Sequence, residues 1–289
     1  GESIPSSSLL QEVISNAPII TGRINLSVFL KFIAFLIKVF NIYFFIETTY
    51  KQVKETFCFK KFKIDQDRCA MKIGTDGVLL GAWTNLHNSP ESILDIGSGT
   101  GVVALMLAQR STAEAIDAIE IDSKAYEQCV ENFEMSPWGD RLYCYHAGLD
   151  EFVDEIDDQY ELIVCNPPFY TETVTSGNLQ RDQARQSDFL PFHDLLEGVS
   201  KLLAENGFFT TIIPFKEKDS FIALAATVGL FPNACLHVKG NPTAAIKRVL
   251  LSFSKSEQSY KENELVIETD RHNYTSDYVK LTKDFYLKM

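Results

Sequence analysis

Residues 92–110 read SILDIGSGTGVVALMLAQR, and this stretch decides the fold. It opens with a short apolar run typical of a buried strand and closes with VVALMLAQR, whose apolar side chains recur at helical spacing. The glycines between the two runs let the backbone turn sharply and let a ligand come close to it. The stretch therefore predicts a strand, a glycine-rich turn and a helix.

The chain downstream alternates strands and helices. Apolar runs at 115–122, 141–147 and 160–169 predict strands, and 123–135 predicts a helix after the first of them. Residues 190–207 predict a helix ended by Gly207; a strand at 208–215, a helix at 218–229 and two last strands at 237–241 and 247–255 follow. Helical crossovers of this length join parallel strands. The predicted fold class is α/β, a Rossmann-like, mostly parallel, doubly wound sheet with helices on both faces.

Two acidic residues accompany the glycine-rich turn. Glu120 lies 19 residues after Gly101 at the end of the second strand, where it can accept hydrogen bonds from two ribose hydroxyls. Asp95 lies where a dinucleotide would bring its pyrophosphate. A carboxylate there would repel the phosphates, so a cationic cofactor fits better than a dinucleotide. The D-x-G-x-G-x-G pattern of Asp95, Gly97, Gly99 and Gly101 resembles the first motif of class I S-adenosylmethionine-dependent methyltransferases. This resemblance implies S-adenosyl-L-methionine as the cofactor, with the second-strand acid on its ribose.

Asn166, Pro167, Pro168 and Phe169 follow the apolar strand at 160–165 directly. An exocyclic amino group is a poor nucleophile because its lone pair is conjugated with the base. If the Asn166 side-chain oxygen and the Pro167 carbonyl accept its hydrogens, the lone pair can turn toward a methyl donor, with no general base needed at the start. Phe169 would stack on the base and Tyr170 would add an edge. The motif resembles the N-P-P-[FY] signature of amino-methyltransferases that act on adenine N6, guanine N2 or glutamine N5.

The resemblance extends over residues 57–289. The segments 57–83, 181–186 and 274–289, together with the two motifs, are similar to the bacterial tRNA1(Val) (adenine(37)-N6)-methyltransferase family. The resemblance implies that residues 72–81 pack over the cofactor, with Thr75 and Asp76 near its methionine end. It also implies that the N-P-P-F motif holds the target adenine.

The chain departs from the pattern at Gly148. Such enzymes usually place an Asp there, near the amino group of the cofactor's adenine. Binding of that adenine is then expected to rely on backbone groups around Gly148 and Leu149, or on Asp150.

Basic residues are the candidates for RNA binding. Arg181 and Arg185 lie four residues apart and closely follow the N-P-P-F motif. The remaining candidates are Lys60, Lys61, Lys63, Lys247 and Arg248. The formal net charge of −12, from 27 lysines and arginines against 39 aspartates and glutamates, excludes a protein that coats nucleic acid non-specifically. It leaves room for a local basic patch.

The six cysteines are scattered without a C-x-x-C pair, so the sequence predicts neither a metal site nor a disulfide framework. A reducing cytoplasm fits this pattern best. No motif predicts an oligomeric state.

Residues 1–56 do not match the rest of the chain. Residues 24–46 are apolar and long enough to cross a bilayer, but Lys31 and Lys38 make insertion marginal on the insertion scale. Three interpretations stay open: a segment in or on a membrane, an unusual targeting segment, and upstream sequence outside the working protein. The third is favoured, so we expect residues 1–56 to lie outside the catalytic fold and residues 57–289 to form the methyltransferase domain.

The predicted activity is methyl transfer from S-adenosyl-L-methionine to the N6 of an adenine in tRNA, adenine 37 of tRNA1(Val) by the resemblance. One alternative is glutamine-N5 methylation of a protein release factor, although that family usually carries a separate helical N-terminal domain. The other is a cofactor-binding scaffold without catalysis.

Overall fold

The computed structural model describes residues 55–86, 88–168 and 190–289. The chain divides into two units, Gly1–Val53 and Lys54–Met289, and the described residues all belong to the second. Its first strand begins at Thr56, so the predicted boundary between residues 56 and 57 falls inside a strand. No helix among the described residues is both long and apolar enough to cross a membrane, and the apolar stretch 24–46 lies outside them.

Twelve strands and seven α-helices follow one another in the described part of the chain. The strands are β1 Thr56–Cys58, β2 Lys63–Asp65, β3 Ser92–Ile96, β4 Ala115–Glu120, β5 Leu142–His146, β6 Tyr160–Cys165, β7 Leu203–Pro214, β8 Phe231–Lys239, β9 Arg248–Ser254, β10 Lys261–Val266, β11 Glu268–Asp270 and β12 Asn273–Tyr274. The α-helices are α1 Thr75–Trp83, α2 Val102–Arg110, α3 Ser123–Glu134, α4 Leu149–Glu155, α5 Phe192–Leu202, α6 Lys218–Thr227 and α7 Ser276–Thr282.

Eight of these strands form one sheet in the order β10-β8-β9-β7-β6-β3-β4-β5. The pairs from β7 through β6, β3 and β4 to β5 are all parallel, whereas β9 runs antiparallel to β7 and β8. The chain moves outward from β3 to β4 and β5 on one side, then returns to place β6 and β7 on the other. This reversal between β3 and β6 is the switch point at which ligands of such sheets bind. The predicted mostly parallel α/β fold is confirmed.

Alternating side chains of the strands build an apolar layer on each face of the sheet. In β3, Ile93 packs into a cluster with residues of α1 and α2. Leu94 and Ile96 point the other way, into a cluster formed with α4, α5 and α6. The two layers hold the carboxyl ends of the central strands in fixed positions, which is where the candidate site lies.

Gly207 does not end a helix, so that prediction is wrong. Helix α5 ends at Leu202, and β7 begins at the next residue, with Leu203 opposite Tyr160. The pairing then shifts, because Phe208 is the next residue of β7 in register with β6. A Cβ at Gly207 would lie 3.0 Å from the Tyr160 carbonyl oxygen, so a larger residue would press against the backbone of the neighbouring strand.

The two strands predicted as the last are followed by three more. Strand β10 adds to the edge of the sheet parallel to β8. Of its six residues only Leu265 is buried, so β10 lacks the apolar alternation by which strands are recognised. The small hairpin β11–β12 and helix α7 complete the chain.

Candidate active site

A cavity of about 1070 Å³ opens at the carboxyl ends of the central strands. Its walls come from the glycine-rich turn after β3, the end of β4, the residues after β5 and the residues after β6. Residues 69–77, which lead into α1, form a further wall. Separate segments of sequence that carry the predicted motifs thus meet around one space.

The glycine-rich turn presents bare backbone to this cavity. Gly97, Gly99 and Gly101 all have positive φ values, of 71°, 54° and 79°, which other residues rarely adopt. A Cβ at Gly97 or Gly99 would meet no atom within 4 Å, so both face open space. At Gly101 a Cβ would lie 2.6 Å from Phe133, because α3 packs against the start of α2 here. Two of the glycines therefore leave room for a ligand, and the third permits helix packing.

Asp95 lines the cavity but is almost fully buried, with 1% of its surface exposed. Its Oδ2 accepts a hydrogen bond from the Ala104 amide at 3.1 Å, at the positive N-terminus of α2. Burial raises the pKa of Asp95 to about 7, and nearby Glu120 adds to the shift, while the Ala104 amide opposes it. The side chain thus connects the end of β3 to the first turn of α2, on either side of the glycine-rich turn.

Glu120 ties the end of β4 to the glycine-rich turn. Its two carboxylate oxygens accept hydrogen bonds from the Gly99 amide at 2.8 Å and the Asp122 amide at 2.9 Å. Burial raises its pKa, and these backbone donors lower it. Because each carboxylate oxygen can accept two hydrogen bonds, Glu120 keeps acceptor capacity for ribose hydroxyls.

The residues after β5 bring a carboxylate close to Gly148. Gly148, Leu149 and Asp150 line the cavity together with Ile121, whose side chain is 54% exposed. Asp150 Oδ1 lies 2.7 Å from the position that a Cβ would take at Gly148. A carboxylate from two residues further on therefore occupies the space beside Gly148.

The N-P-P motif lies across the cavity from these residues. Asn166 is half-buried and Pro167 is buried at the end of β6, and both line the cavity. Asn166 Nδ2 lies 3.9 Å from the Cβ position of Gly77, in the first turn of α1. Thr75 and Asp76, in the same turn, also line the cavity. The structure therefore brings these two predicted groups together.

Arg248 occupies an unexpected position. Sequence reasoning treated it as one of several basic surface residues, but its side chain lines the cavity. Its Nε donates a hydrogen bond to Asp76 Oδ2 at 2.7 Å, which joins the start of β9 to the first turn of α1. The pairing was invisible in the sequence because 172 residues separate the two partners.

Comparison with known proteins identifies the family. The methyltransferase small domain model matches residues 74–190. A tRNA1(Val) (adenine(37)-N6)-methyltransferase of Flavobacterium psychrophilum is 59% identical over 233 residues, which are 81% of this chain and all of that protein. Proteins of the same name from Flavobacterium johnsoniae and Bacteroides fragilis are 59% and 48% identical, over 81% of this chain and 100% and 98% of theirs. The chain belongs to the tRNA1(Val) (adenine(37)-N6)-methyltransferase family.

A solved structure supports the fold of this methyltransferase. A crystal structure described as a predicted O-methyltransferase from Agrobacterium tumefaciens superposes with a TM-score of 0.56 at 18% identity. The superposition covers 73% of this chain and 96% of the Agrobacterium tumefaciens chain. At this identity the likeness concerns the fold alone.

S-adenosyl-L-methionine is the cofactor of this methyltransferase, and the residues present fit it. The cavity offers open glycine backbone and an acid with acceptor capacity at the end of β4. Asp95 and Asp76 add carboxyl groups to its lining, which suit a cationic ligand.

Several predicted residues lie elsewhere in the methyltransferase. Lys60 and Lys61 line a separate pocket of about 620 Å³ with Gln109 and Arg110, at the end of α2 opposite the glycine-rich turn. Lys60 Nζ donates to the carbonyl oxygens of Lys283 and Met289, at 2.5 and 2.8 Å. Lys63 and Lys247 are exposed and are absent from the residues that line the large cavity. Phe169, Tyr170, Arg181 and Arg185 lie outside the described residues.

The sequence analysis also missed a polar cluster on β8 and β10. The Sγ atom of Cys235, a ring nitrogen of His237 and a carboxylate oxygen of Glu262 lie within 4.8 Å of one another. Lys218 Nζ lies among them, 3.3 Å from His237 Nε2 and 2.7 Å from Glu262 Oε1. A lysine ammonium therefore supplies the positive charge in this cluster. The pairing of β8 with β10 brings the residues together, so no local spacing revealed them.

Proposed function

We propose that this protein transfers a methyl group from S-adenosyl-L-methionine to the N6 of adenine 37 in tRNA1(Val). The observation that carries the proposal is the position of Asn166 and Pro167 on the wall of the cavity that the glycine-rich turn and Glu120 also line. The names and 48–59% identities of the relatives support the choice of substrate.

The residues of the chain supply binding and orientation. When bound, S-adenosyl-L-methionine supplies an electrophilic methyl group on a sulfonium. Glu120 would hold the ribose, Gly148, Leu149 and Asp150 would face the adenine, and the first turn of α1 would face the methionine end. Asn166 Oδ1 and the Pro167 carbonyl accept hydrogen bonds from the two N6–H groups of the target adenine, which turns the nitrogen lone pair toward the methyl group. The new N–C bond would replace the S–C bond, with S-adenosylhomocysteine as the leaving group, and the methylated nitrogen would then release one proton to solvent.

The backbone after β6 is suited to this task. Strand β6 is paired on both sides, with β3 and β7, so its end cannot shift easily. The two prolines then restrict the backbone dihedral angles of the exit. A rigid pair of acceptors costs little reorganisation when the amino group changes shape, and such preorganisation contributes to catalysis. Phe169, the next residue, is proposed to stack on the target base.

The test is methylation of tRNA by the full-length protein and by Asn166→Ala. We expect the wild type to form N6-methyladenosine in a tRNA1(Val) transcript, and not in a transcript with guanine at position 37. Asn166→Ala should lose methylation by about 10²- to 10³-fold, the usual cost of one preorganised polar group. Its dissociation constant for S-adenosylhomocysteine should stay within a few-fold of the wild-type value.

Asn263→Ala serves as the matched control, because Asn263 is exposed on β10 and is not among the residues that line the cavity. It should keep full activity. Transfer to a release-factor glutamine in place of tRNA would contradict the proposal. Equal tRNA methylation by the wild type and Asn166→Ala would contradict the role of Asn166.

We also propose that the methyltransferase domain, predicted as residues 57–289, begins slightly earlier, near Lys54, and that the chain before it lies outside the catalytic fold. The relative from Flavobacterium psychrophilum is matched over its whole length by 81% of this chain, which leaves about a fifth without a counterpart in it. The six cysteines are free thiols, in keeping with action in a reducing cytoplasm beside the tRNA substrate. Arg181, Arg185, Lys60, Lys61, Lys63 and Lys247 stay predicted RNA contacts.

A further inference from the structure

Arg248 lies beyond the carboxyl end of β6, toward the catalytic motif. In the sheet, Cys165 of β6 is opposite Thr211 of β7, and Pro214, three residues further along β7, is opposite Arg248. Strand β6 ends at Cys165, so Arg248 lies about three residues beyond the end of β6, on the side of the sheet toward which the N-P-P motif continues. Two strand spacings, or about 10 Å, separate β9 from β6.

The Arg248 side chain is held in place from the opposite wall. Its Nε donates to Asp76 Oδ2 at 2.7 Å, and its Nη1 donates to the Lys247 carbonyl at 3.3 Å. The side chains of the pair are 35% and 28% exposed, so the charges are partly shielded from water. An arginine fixed through Nε has a defined guanidinium plane, which favours recognition of a planar or tetrahedral oxyanion.

The charges around the cavity make this guanidinium distinctive. The lining contains many acidic residues: Asp76, Asp95, Glu120, Asp122, Asp150, Asp154, Asp194 and Glu197. The basic residues that line it in the described part of the chain are Lys72, Lys201 and Arg248. Lys72 pairs with Glu55 through side chains that are 55% and 49% exposed, so that pair is more open to water than the pair of Arg248 with Asp76. Lys201 is exposed at the C-terminal end of α5. Arg248 is thus the cation that an ion pair with the first turn of α1 fixes on the cavity wall, beyond the carboxyl end of β6.

A substrate nucleotide carries a phosphate on each side of its ribose. To place its base against Asn166, an RNA must bring these phosphates to a strongly acidic cavity on a chain of net charge −12. We propose that Arg248, oriented by Asp76, binds a backbone phosphate next to the target adenine and so positions that nucleotide for methylation. This inference rests on the proposed function. The methionine carboxylate of the cofactor is the competing oxyanion, and the experiment separates the two.

The experiment compares full-length wild type with Arg248→Gln and Arg248→Lys, using a tRNA1(Val) transcript and S-adenosylhomocysteine as probes. Gln keeps a donor for Asp76, and Lys keeps the charge without the planar fork. For Arg248→Gln we expect KM for the transcript to rise about 10- to 100-fold, with the dissociation constant of S-adenosylhomocysteine unchanged. The slope of log affinity for tRNA against log salt concentration should fall by about 0.7 to 1. Arg248→Lys should have the wild-type slope, and its KM for the transcript should lie between the values of the wild type and Arg248→Gln.

Arg271→Ala is the matched control, since Arg271 is exposed between β11 and β12 and is absent from the cavity lining. It should leave the transcript KM as it is in the wild type. Weaker S-adenosylhomocysteine binding with unchanged transcript KM in Arg248→Gln would overturn the inference in favour of the methionine carboxylate. Unchanged values of both would also overturn it, while the proposed function would stand. A wild type that methylates no tRNA would overturn the proposed function and this inference with it.

Discussion

Asp95 is a buried carboxyl group that lines the cavity and can ionise. The residue is 1% exposed, and its carboxyl group lies between the N-terminus of α2 and the cavity. Burial raises its pKa from 3.8 to about 7, so the folded protein holds a proton there that the unfolded chain releases. A cationic ligand near this group would favour the ionised form. At the scale of a single residue, the position is therefore adapted to binding at some cost to stability.

This cost predicts a pH-dependent difference between the wild type and Asp95→Asn. Below pH 3.8 the carboxyl group is protonated in both the folded and the unfolded wild type. Its contribution to the free energy of unfolding is then at its maximum. As the pH rises from 3.8 to about 7, the unfolded state ionises first, and that contribution is lost. The amide that replaces the carboxyl group in the variant does not titrate. We expect the free energy of unfolding of Asp95→Asn, relative to the wild type, to rise by about 2 to 3 kcal/mol between pH 5 and pH 8.

Urea unfolding at the two pH values, without cofactor, measures this change. Other titrating groups are common to both proteins and cancel in the difference. A difference that stays constant between pH 5 and pH 8 would show that Asp95 is already ionised in the folded protein at pH 5.

At the scale of elements, the glycine-rich turn joins β3 to α2 and carries two separate constraints. Gly99 faces open space, whereas Gly101 lies under α3, against Phe133 and Cys129. Both have positive φ, so a side chain at either position strains the backbone. Only the one at Gly101 would also force α2 and α3 apart.

The two glycines therefore predict unequal losses of stability. Gly99→Ala should cost about 1 to 2 kcal/mol of unfolding free energy from backbone strain alone. Gly101→Ala should cost about 2 to 5 kcal/mol, because its Cβ would lie 2.6 Å from Phe133 Cε1 and 3.0 Å from Cys129 Sγ. Denaturant unfolding of the two variants measures the difference, and Gly99→Ala is the control for strain. Equal losses would mean that the contact with α3 relaxes without cost.

At the scale of the whole molecule, the first hairpin is part of the methyltransferase unit. The Glu55 carbonyl accepts a hydrogen bond from the Gln66 amide at 3.0 Å, just outside β1 and β2. At the end of β2, the Asp65 amide donates to Oδ1 of the fully buried Asn132 of α3 at 2.8 Å, and Asn132 Nδ2 donates to the Asp65 carbonyl at 2.9 Å. Asn132 also donates to the Thr100 carbonyl in the glycine-rich turn at 2.9 Å. The hairpin is thereby connected to the wall of the cofactor cavity.

Two truncations test this connection. A chain that begins at residue 54 keeps the whole second unit, and we expect it to bind S-adenosylhomocysteine and to methylate tRNA as the full chain does. A chain that begins at residue 67 lacks the hairpin and leaves the Asn132 amide without two of its partners. It should bind S-adenosylhomocysteine at least tenfold more weakly or fail to fold, because unpaired buried polar groups cost about 1 to 3 kcal/mol each. Calorimetry and thermal unfolding measure both outcomes, and full binding by the shorter chain would refute the connection.

The sequence by itself determined the fold class and several of the segments that line the cavity. Strand and helix periodicity, the spacing from Gly101 to Glu120 and the N-P-P motif are local patterns, and each element they mark lies where parallel strands end. Patterns confined to one segment need no knowledge of distant contacts. Strand β10 was missed because its exposed residues leave no such pattern, and Gly207 was misread because its close neighbour, Tyr160, lies on another strand.

Only the tertiary structure decided which of the basic candidates among the described residues lines the cavity. Apart from Arg181 and Arg185, which lie outside the described residues, the five basic candidates looked alike in the sequence. Of these five, Arg248 pairs with Asp76 on the cavity wall, whereas Lys60 and Lys61 lie at the opposite end of α2. It also decided that Asp150 fills the space beside Gly148. These pairings follow from strand order and from helix packing across the sheet. Strand order and packing depend on the whole chain at once, so no local spacing encodes them.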